Sequence, residues 1–361
     1  MFLTALVFFL ILSILVLIHE FGHFAVARWI GVHVEEFGLG LPPKVIGKKI
    51  GNTIYSLNWL PIGGFVRLAG EYEVEHSLKR SHLAKQGETL KKFFWARSKK
   101  ERAAILIAGV TMNFLLAVGI TGYLLTQGIM EPSGRVRIEK VQPGSPAESI
   151  GLKENDIVTF IDTKSVSVPK DLIDATRAHL DEKVTLTIRR SSEEQKITVI
   201  PRKNPPEGQG PLGVVITDLE LRTFTWNEIP VEAVRINILR AKDMFTGVAA
   251  TLWRLATLNA PSSDVAGPIG IARVTGEAVK FGWMAVLEFM SILSLNLAVL
   301  NILPIPALDG GRLAFVFLEK LIGRRLRPAF ERSAHQVGMI ILIGLILLVS
   351  INDILKLAKG L

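Results

Sequence analysis

The sequence predicts a multi-pass α-helical membrane protein with four transmembrane helices, a membrane-associated β-rich loop and an inserted α+β domain. Hydrophobic residues make up 49% of its 361 residues and charged residues only 21%, which excludes a disordered or purely soluble chain. Four uncharged apolar stretches are long enough, at about 1.5 Å per helical residue, to cross most or all of a ~30 Å hydrocarbon core. These stretches are residues 2–18, 103–130, 289–308 and 333–352.

Composition shifts along the chain divide it into membrane helices and the segments between them. The first apolar stretch lacks a basic n-region and an A-x-A cleavage site, so we expect a retained helix and not a cleaved signal peptide. The predicted segments are a first transmembrane helix (1–30), a β-rich loop (31–78), a basic segment (79–102), a second transmembrane helix (103–130), a small extracytoplasmic domain (131–205), a linker with an amphipathic helix (206–282), a third transmembrane helix (283–311), a basic loop (312–332) and a fourth transmembrane helix with a tail (333–361).

The positive charge is concentrated beside the apolar stretches. The net charge of +9 comes mainly from residues 79–102 and 312–332, whereas residues 131–205 are nearly neutral. Basic flanks of membrane helices stay in the cytoplasm. We therefore expect both termini and the small domain outside the cytoplasm. The basic runs suit contact with anionic membrane lipids better than nucleic-acid binding.

The segments between the membrane helices differ in their patterns. Residues 32–71 are broken by glycines and prolines, and the pair Gly51 and Asn52 is typical of a hairpin turn between two short strands. The apolar tract 59–65 predicts contact with the membrane interface. Residues 229–255 carry apolar side chains at steps of three or four, which indicates an amphipathic helix. Its apolar face could lie on the membrane or pack against the small domain.

The sequence H-E-x-x-H at His19, Glu20 and His23 ends the first apolar stretch. Residues four apart share one helix face, so both imidazoles can bind the same zinc ion. Glu20 can then take a proton from a metal-bound water. Ionisable side chains this close to hydrocarbon need partners or water, so they mark a functional site. The competing interpretation is that they simply mark the interfacial end of the helix.

A catalytic zinc site needs a third protein ligand. The chain has no cysteine, which excludes thiolate ligands and thiol nucleophiles. Asp309 is the best candidate, because the third transmembrane helix should run inward and deliver it to the side of His19. The prolines and glycines of residues 301–312 suit a broken helix at a water-accessible cavity. His179 should lie on the opposite side, and His335 should begin the fourth span without a second ionisable partner nearby. Three loop histidines stay open as ligands: His33, His76 and His82.

Together these motifs resemble the bacterial site-2 intramembrane zinc proteases of the regulator-of-sigma-E type. The matching residues are H-E-F-G-H at 19–23, G-V-T-M-N at 109–113, A-G-P-I-G at 266–270 and L-D-G at 308–310. The resemblance implies one Zn²⁺ bound by His19, His23 and Asp309, with Glu20 as catalytic base. It also implies that Asn296 and Asn301 contact the substrate backbone. Interhelical hydrogen bonds are the alternative role for these two asparagines.

Residues 141–158 resemble the start of a PDZ domain, and one copy fits where better-known members carry two. Such a domain can take a peptide terminus or act as a size filter. The resemblance implies an intramembrane endopeptidase of the bacterial cytoplasmic membrane, with its active site near the cytoplasmic face. The implied substrates are single-span membrane proteins such as anti-sigma factors, and remnant signal peptides. Independently of the resemblance, the glycine-rich apolar loop next to the H-E-x-x-H motif predicts an exposed strand edge within residues 32–71 that holds the substrate extended, with proline substitutions along residues 53–57 as its test.

Two other functions fit parts of the sequence. A catalytically inert PDZ membrane scaffold would need no base, so the intact Glu20 disfavours it. A metal transporter would also place histidine and aspartate within a membrane.

Overall fold

The computed structural model describes residues 2–71, 91–257 and 267–358. These residues form two compact units, one of Met1–Leu124 with Trp226–Leu361 and the other of Leu125–Thr225. We call them the membrane unit and the inserted domain. His76, His82, Ala266 and the first part of the basic segment, residues 79–90, lie outside the described residues.

Four helices in the described part of the chain are long and apolar enough to cross a membrane, which confirms the predicted number. They are α1, α2, α7 and most of α9. The α-helices in chain order are α1 (Phe2–Ile30), α2 (Lys99–Thr126), α3 (Pro146–Ser149), α4 (Pro169–Ala178), α5 (Ile229–Ala256), α6 (Pro268–Phe281), α7 (Trp283–Ile302), α8 (Asp309–Ile322) and α9 (Pro328–Ala358).

Helix α2 begins and ends four residues before the predicted range 103–130. At its start, the Ser98 and Glu101 side chains bond reciprocally to each other's backbone N–H groups, at 3.3 Å and 2.8 Å. This capping box satisfies donors that a helix start leaves free. The Arg102 side chain is buried, and its charge is compensated by the carboxylate of Glu319 in α8. At the other end the chain turns at Gly128, whose φ is +78°.

The region predicted as one helix over 283–311 is two helices joined by a tight loop. Helix α7 ends at Ile302, and α8 begins at Asp309 and runs through much of the predicted basic loop. Pro304 and Pro306 lack the N–H groups that would continue the helix. Asp309 is therefore the first residue of a new helix. A further helix not predicted from the sequence, α6, occupies part of the expected linker.

The β-rich loop is a long hairpin of β1 (Val34–Ile50) and β2 (Thr53–Leu68), with Gly51 and Asn52 at its turn. Both strands fold back on themselves. As a result, residues 34–39 pair with residues 64–68 on one side and with residues 54–57 on the other. Residues 54–57 also pair with residues 46–49, so they are interior. The proline test expected along residues 53–57 would therefore act on an interior strand and not on an edge, because turn signals do not show which segments are paired twice.

The inserted domain contains the strands β3 (Ile129–Val141), β4 (Ile157–Ile161), β5 (Lys164–Ser165), β6 (Val184–Arg190), β7 (Glu193–Val199) and β8 (Val214–Arg222). Its sheet has the order β7-β6-β4-β3-β8, and β5 pairs with β4. Inward-facing residues such as Leu186 and Ile188 are fully buried. The expected boundary at 205 is wrong, because β8 lies beyond it and pairs with β3. The Pro- and Gly-rich segment before β8 had indicated a linker.

Helix α5 presents its apolar row outward. Val231, Ile238 and Phe245 are exposed, as contact with lipid would require. On the opposite face, the fully buried Asn237 donates from Nδ2 to Oγ1 of Thr121 in α2, at 2.9 Å. Hydrogen bonds of this kind hold membrane helices together.

Candidate metal centre

The first transmembrane helix and the start of α8 bring three potential ligands together. His19 and His23 lie one turn apart on α1, and both are buried. The Oδ2 atom of Asp309 lies 2.9 Å from Nε2 of His19 and 3.2 Å from Nε2 of His23. The two Nε2 atoms are 3.2 Å apart. The three donor atoms thus form a compact triangle, although Asp309 lies 286 positions after His23 and 290 after His19 in the chain.

This triangle fits a zinc ion. Zinc binds nitrogen and oxygen ligands at about 2.0 to 2.1 Å in tetrahedral geometry, which places neighbouring donors about 3.3 Å apart. The observed separations of 2.9 to 3.2 Å are close to that value. Two imidazoles and one carboxylate also leave a fourth position for water or substrate, as in catalytic sites. Within the described residues, no other group of histidine and acidic side chains has this geometry.

The ring of His23 is oriented by the backbone of α2. Its Nδ1 atom lies 2.8 Å from the carbonyl oxygen of Ile105, to which it must donate. In a neutral imidazole the other nitrogen then carries the lone pair. The Nε2 atom of His23 is therefore prepared to bind a metal ion.

Two glycines allow α1 and α2 to approach closely at the site. A Cβ atom on Gly22 of α1 would lie 2.8 Å from Cγ of Met112 and would also collide with the Ala108 backbone. A Cβ atom on Gly109 of α2 would overlap the ring of His23 and lie 2.8 Å from Cε1 of His19. The role of Gly109 was not predicted. Its place four residues before Asn113, and so on the same helix face, was the signal that could have indicated a close helix contact.

The loop before Asp309 is fixed by contacts from several elements. The Ala307 N–H donates to Nδ1 of His335 in α9, at 2.9 Å, and Ala307 has a φ of +81°. Gly310 lies so close to the carbonyls of Ile302 and Leu303 that a Cβ atom would collide with them. In the next turn of α8, Arg312 pairs with Glu71 at the end of the hairpin. These contacts set the position of the Asp309 carboxylate.

The other histidines in the described residues are not in the donor triangle. His335 supports the Asp309 loop and lines a cavity of about 470 Å³ together with Arg312 and Glu331. The expectation that His335 has no ionisable neighbour is therefore wrong, because the fold brings these groups to it. His179 pairs with Glu182 at 2.9 Å. His33 is not among the clustered potential ligands.

The two asparagines expected to contact substrate differ in their surroundings. Asn301 lies at the end of α7 with its Nδ2 atom 3.4 Å from Nε2 of His19. Asn296 is half-buried, about one and a half turns earlier on the same helix. Only Asn301 borders the donor triangle.

Glu20 follows His19 on α1 and lies beside the hairpin. Its Cγ atom is 3.6 Å from the position that a Cβ atom on Gly64 would take. Glu20 is thus placed between the donor triangle and the last segment of β2. A carboxylate beside a metal-bound water can accept its proton, which is the general-base role in H-E-x-x-H sites.

Substitution of Gly109 by alanine should displace the two imidazoles and lower zinc affinity by about tenfold or more. The control is Gly119→Ala on the same helix, where a Cβ atom would meet no atom within 4 Å. Zinc affinity of both purified variants can be measured by competition with a chromogenic chelator. Equal affinities for Gly109→Ala and the wild type would contradict the tight packing of α2 against the site.

Comparison with known proteins places the chain in a family. The profile of peptidase family M50 matches residues 7–345. A protein of Fusobacterium nucleatum, described as a candidate zinc metalloprotease, is 31% identical over 371 residues, covering 98% of this chain and 99% of that protein. Zinc metalloprotease RasP of Oceanobacillus iheyensis is 29% identical, covering 98% of this chain and 99% of RasP.

Among solved structures, the PDZ domain of an SdrC-like protein from Listeria innocua aligns with 23% of this chain and 92% of that domain. The identity is 19% and the TM-score is 0.21. The family match, by contrast, spans most of the chain and includes both halves of the donor triangle. The chain belongs to peptidase family M50, the site-2 protease family, and is a zinc metalloprotease.

Proposed function

We propose that this protein is an endopeptidase that hydrolyses peptide bonds within or beside the membrane, using one Zn²⁺ held by His19, His23 and Asp309. The observation that carries the proposal is the donor triangle, with separations of 2.9 to 3.2 Å, whose two histidines lie on a helix apolar enough to span a bilayer. Buried ionisable groups in such surroundings require partners. A cation shared by all three would supply that partner.

In this proposal the side chains have distinct tasks. A bound zinc ion would polarise the scissile carbonyl and lower the pKa of the attacking water to about 7. Glu20 accepts a proton from that water and returns it to the leaving nitrogen as the C–N bond breaks. Water thus supplies a hydroxyl group to the carbonyl carbon and a proton to the amine. Asn301, beside His19, is placed to donate a hydrogen bond to the substrate backbone, and we assign Asn296 the same role one to two turns away.

Replacing Glu20 by glutamine should leave zinc bound but reduce cleavage about 10²- to 10⁴-fold, because glutamine cannot accept the proton. His23→Ala and Asp309→Ala should instead lose zinc. Bound zinc and cleavage of a reconstituted single-span substrate can be measured on the same preparations.

The same experiment separates the competing functions. Unchanged cleavage by Glu20→Gln would refute the proposed enzyme mechanism. If none of the proteins cleaves and zinc crosses vesicles only through the wild type, the transporter is favoured. If neither the wild type nor any variant cleaves the substrate or moves zinc across vesicles, the inert scaffold is favoured.

A substrate helix must be unwound before its carbonyls can be attacked, and the hairpin offers a place for an extended chain. Among the described residues, residues 64–68 pair with β1 on one side only. This edge begins at Gly64, beside Glu20. A peptide that adds to a sheet edge is held extended by main-chain hydrogen bonds. We therefore propose that the substrate adds to the edge at residues 64–68, next to the proposed base.

Proline substitutions can test this edge. N–H groups of adjacent strand residues point to opposite sides, so one of Phe65→Pro and Val66→Pro removes an outward donor. That variant should cleave several-fold more slowly, since one hydrogen bond contributes about 0.5–1.5 kcal/mol. The control is Ile46→Pro on the opposite edge of the sheet. Normal cleavage by both edge variants, with zinc retained, would contradict the proposal.

The inserted domain has a groove that suits a peptide terminus. Its volume is about 210 Å³, and α4 and β8 form its walls, with apolar residues that include Leu172, Val214 and Ile216. Because β8 ends the sheet, a peptide can extend it. We propose that this groove binds an apolar peptide carboxyl terminus.

Peptides ending in valine should bind the protein more tightly with a free carboxylate than with an amide, and Ile216→Arg should weaken the binding. Fluorescence anisotropy measures both. Equal binding of the carboxylate and amide peptides would contradict capture of a terminus and favour a size filter.

We further propose that the protein lies in the bacterial cytoplasmic membrane, with its termini and inserted domain outside and its active site near the cytoplasmic face. The proposed substrates are single-span membrane chains, namely anti-sigma-factor-like proteins and remnant signal peptides. The chain has no cysteine, so single cysteines report orientation cleanly. An impermeant thiol reagent on intact cells should label Ser191→Cys but not Arg324→Cys; the reverse pattern would contradict the orientation.

A further inference from the structure

Helix α2 places a second polar group against the proposed zinc ligands. The fully buried side chain of Asn113 has its Nδ2 atom 3.4 Å from Nδ1 of His19. Its Oδ1 atom is buried and has no hydrogen-bond partner among the residues that the structure describes. The backbone carbonyl of Asn113 accepts a hydrogen bond from Ser294 of α7 at 2.8 Å, so the residue lies where α2 contacts α7.

The proposed role of His19 determines which end of this amide should face the ring. A neutral imidazole carries one N–H group and one lone pair. If the amide nitrogen donates to Nδ1, the ring proton must lie on Nε2, which points at the donor triangle and could not then bind zinc. If the amide oxygen faces Nδ1, it accepts the Nδ1 proton and leaves the lone pair on Nε2.

The two amide orientations differ by a half turn of the terminal group. The oxygen and nitrogen of an amide have nearly the same size, and their assignment follows from hydrogen-bond chemistry. The half turn breaks the 3.4 Å contact between Nδ2 of Asn113 and Nδ1 of His19. It breaks no hydrogen bond of Oδ1, which has no partner among the described residues. In exchange, the oxygen gains an N–H donor from His19. Zinc binding through Nε2 therefore selects the orientation with Oδ1 toward the ring.

The second imidazole shows the same arrangement in a form that needs no reorientation. Nδ1 of His23 donates to the carbonyl of Ile105, eight residues before Asn113 on α2. Gly109, midway between them, provides the space for both rings. Residues four apart lie on one helix face. The face of α2 toward α1 thus carries the carbonyl of Ile105 as one acceptor, Gly109 without a side chain, and the amide of Asn113 as a second acceptor.

We infer that Asn113 is a positioning residue that accepts a hydrogen bond from Nδ1 of His19 through its side-chain oxygen and so holds this ring in the zinc-binding tautomer. The inference rests on the proposed zinc site. Partners of this kind fix ring orientation, and their loss typically costs 10- to 100-fold in metal affinity.

The test compares two substitutions of similar size, with zinc affinity as the readout. Asn113→Asp keeps an acceptor but has no donor, so it should bind zinc within a few-fold of the wild type. Asn113→Leu has no acceptor and should bind about 10- to 100-fold more weakly. Chelator competition measures the affinities, and the absorption spectrum of the Co²⁺-loaded protein reports whether the ligand geometry is preserved.

A control variant separates the amide from local packing. Ser294→Ala removes the hydrogen bond to the Asn113 backbone without changing the amide, and it should retain zinc. Should Asn113→Leu fail to fold, Asn113→Asp decides alone: zinc affinity reduced tenfold or more would mean that the amide acts as a donor, and the inference would be wrong. Wild-type affinity in a folded Asn113→Leu protein would also overturn it.

The outcomes distinguish this inference from the proposed function. If the wild type and His19→Ala bind zinc equally, the proposed site itself is wrong. If the wild type binds zinc, His19→Ala does not, and Asn113→Leu is unaffected, the proposed site stands and only the role of Asn113 fails.

Discussion

The central constraint is the burial of ionisable side chains in an apolar helical environment. His19 and His23 are buried on a helix apolar enough to span a membrane, and Asp309 reaches them from the far end of the chain. Such groups are costly unless charge and hydrogen bonding compensate them. A metal ion shared by the three side chains would meet this requirement, in the geometry that catalytic zinc sites use.

Much of the surrounding structure holds these three side chains close together. On the histidine side, Gly22 and Gly109 let α1 and α2 approach until backbone and rings are in contact. On the aspartate side, two prolines end α7, His335 holds the loop, and α8 starts at Asp309 itself. The Arg312–Glu71 pair then connects α8 to the hairpin, whose edge passes Glu20. The proposed ligands, base and substrate edge are thereby parts of one packed unit.

The sequence predicted what depends on local spacing or on membrane topology. His19 and His23 follow from their four-residue spacing, and Asp309 follows from the direction of the third span. The role of Gly109, and of the Ile105 carbonyl, depends on how α1 and α2 pack, which no local pattern encodes. Strand β8 was missed because a Pro- and Gly-rich segment precedes it, and its partner β3 is distant in sequence. The interior position of residues 54–57 likewise depends on double pairing.

X-ray absorption at the zinc K-edge of the purified protein tests the central claim most directly. The account predicts one zinc ion per chain, with scattering from two imidazole rings and with oxygen ligands, all at about 2.0 to 2.1 Å. In Asp309→Ala the oxygen contribution should fall or the metal should be lost. A wild-type spectrum with fewer than two imidazoles, or an unchanged spectrum in Asp309→Ala, would contradict it.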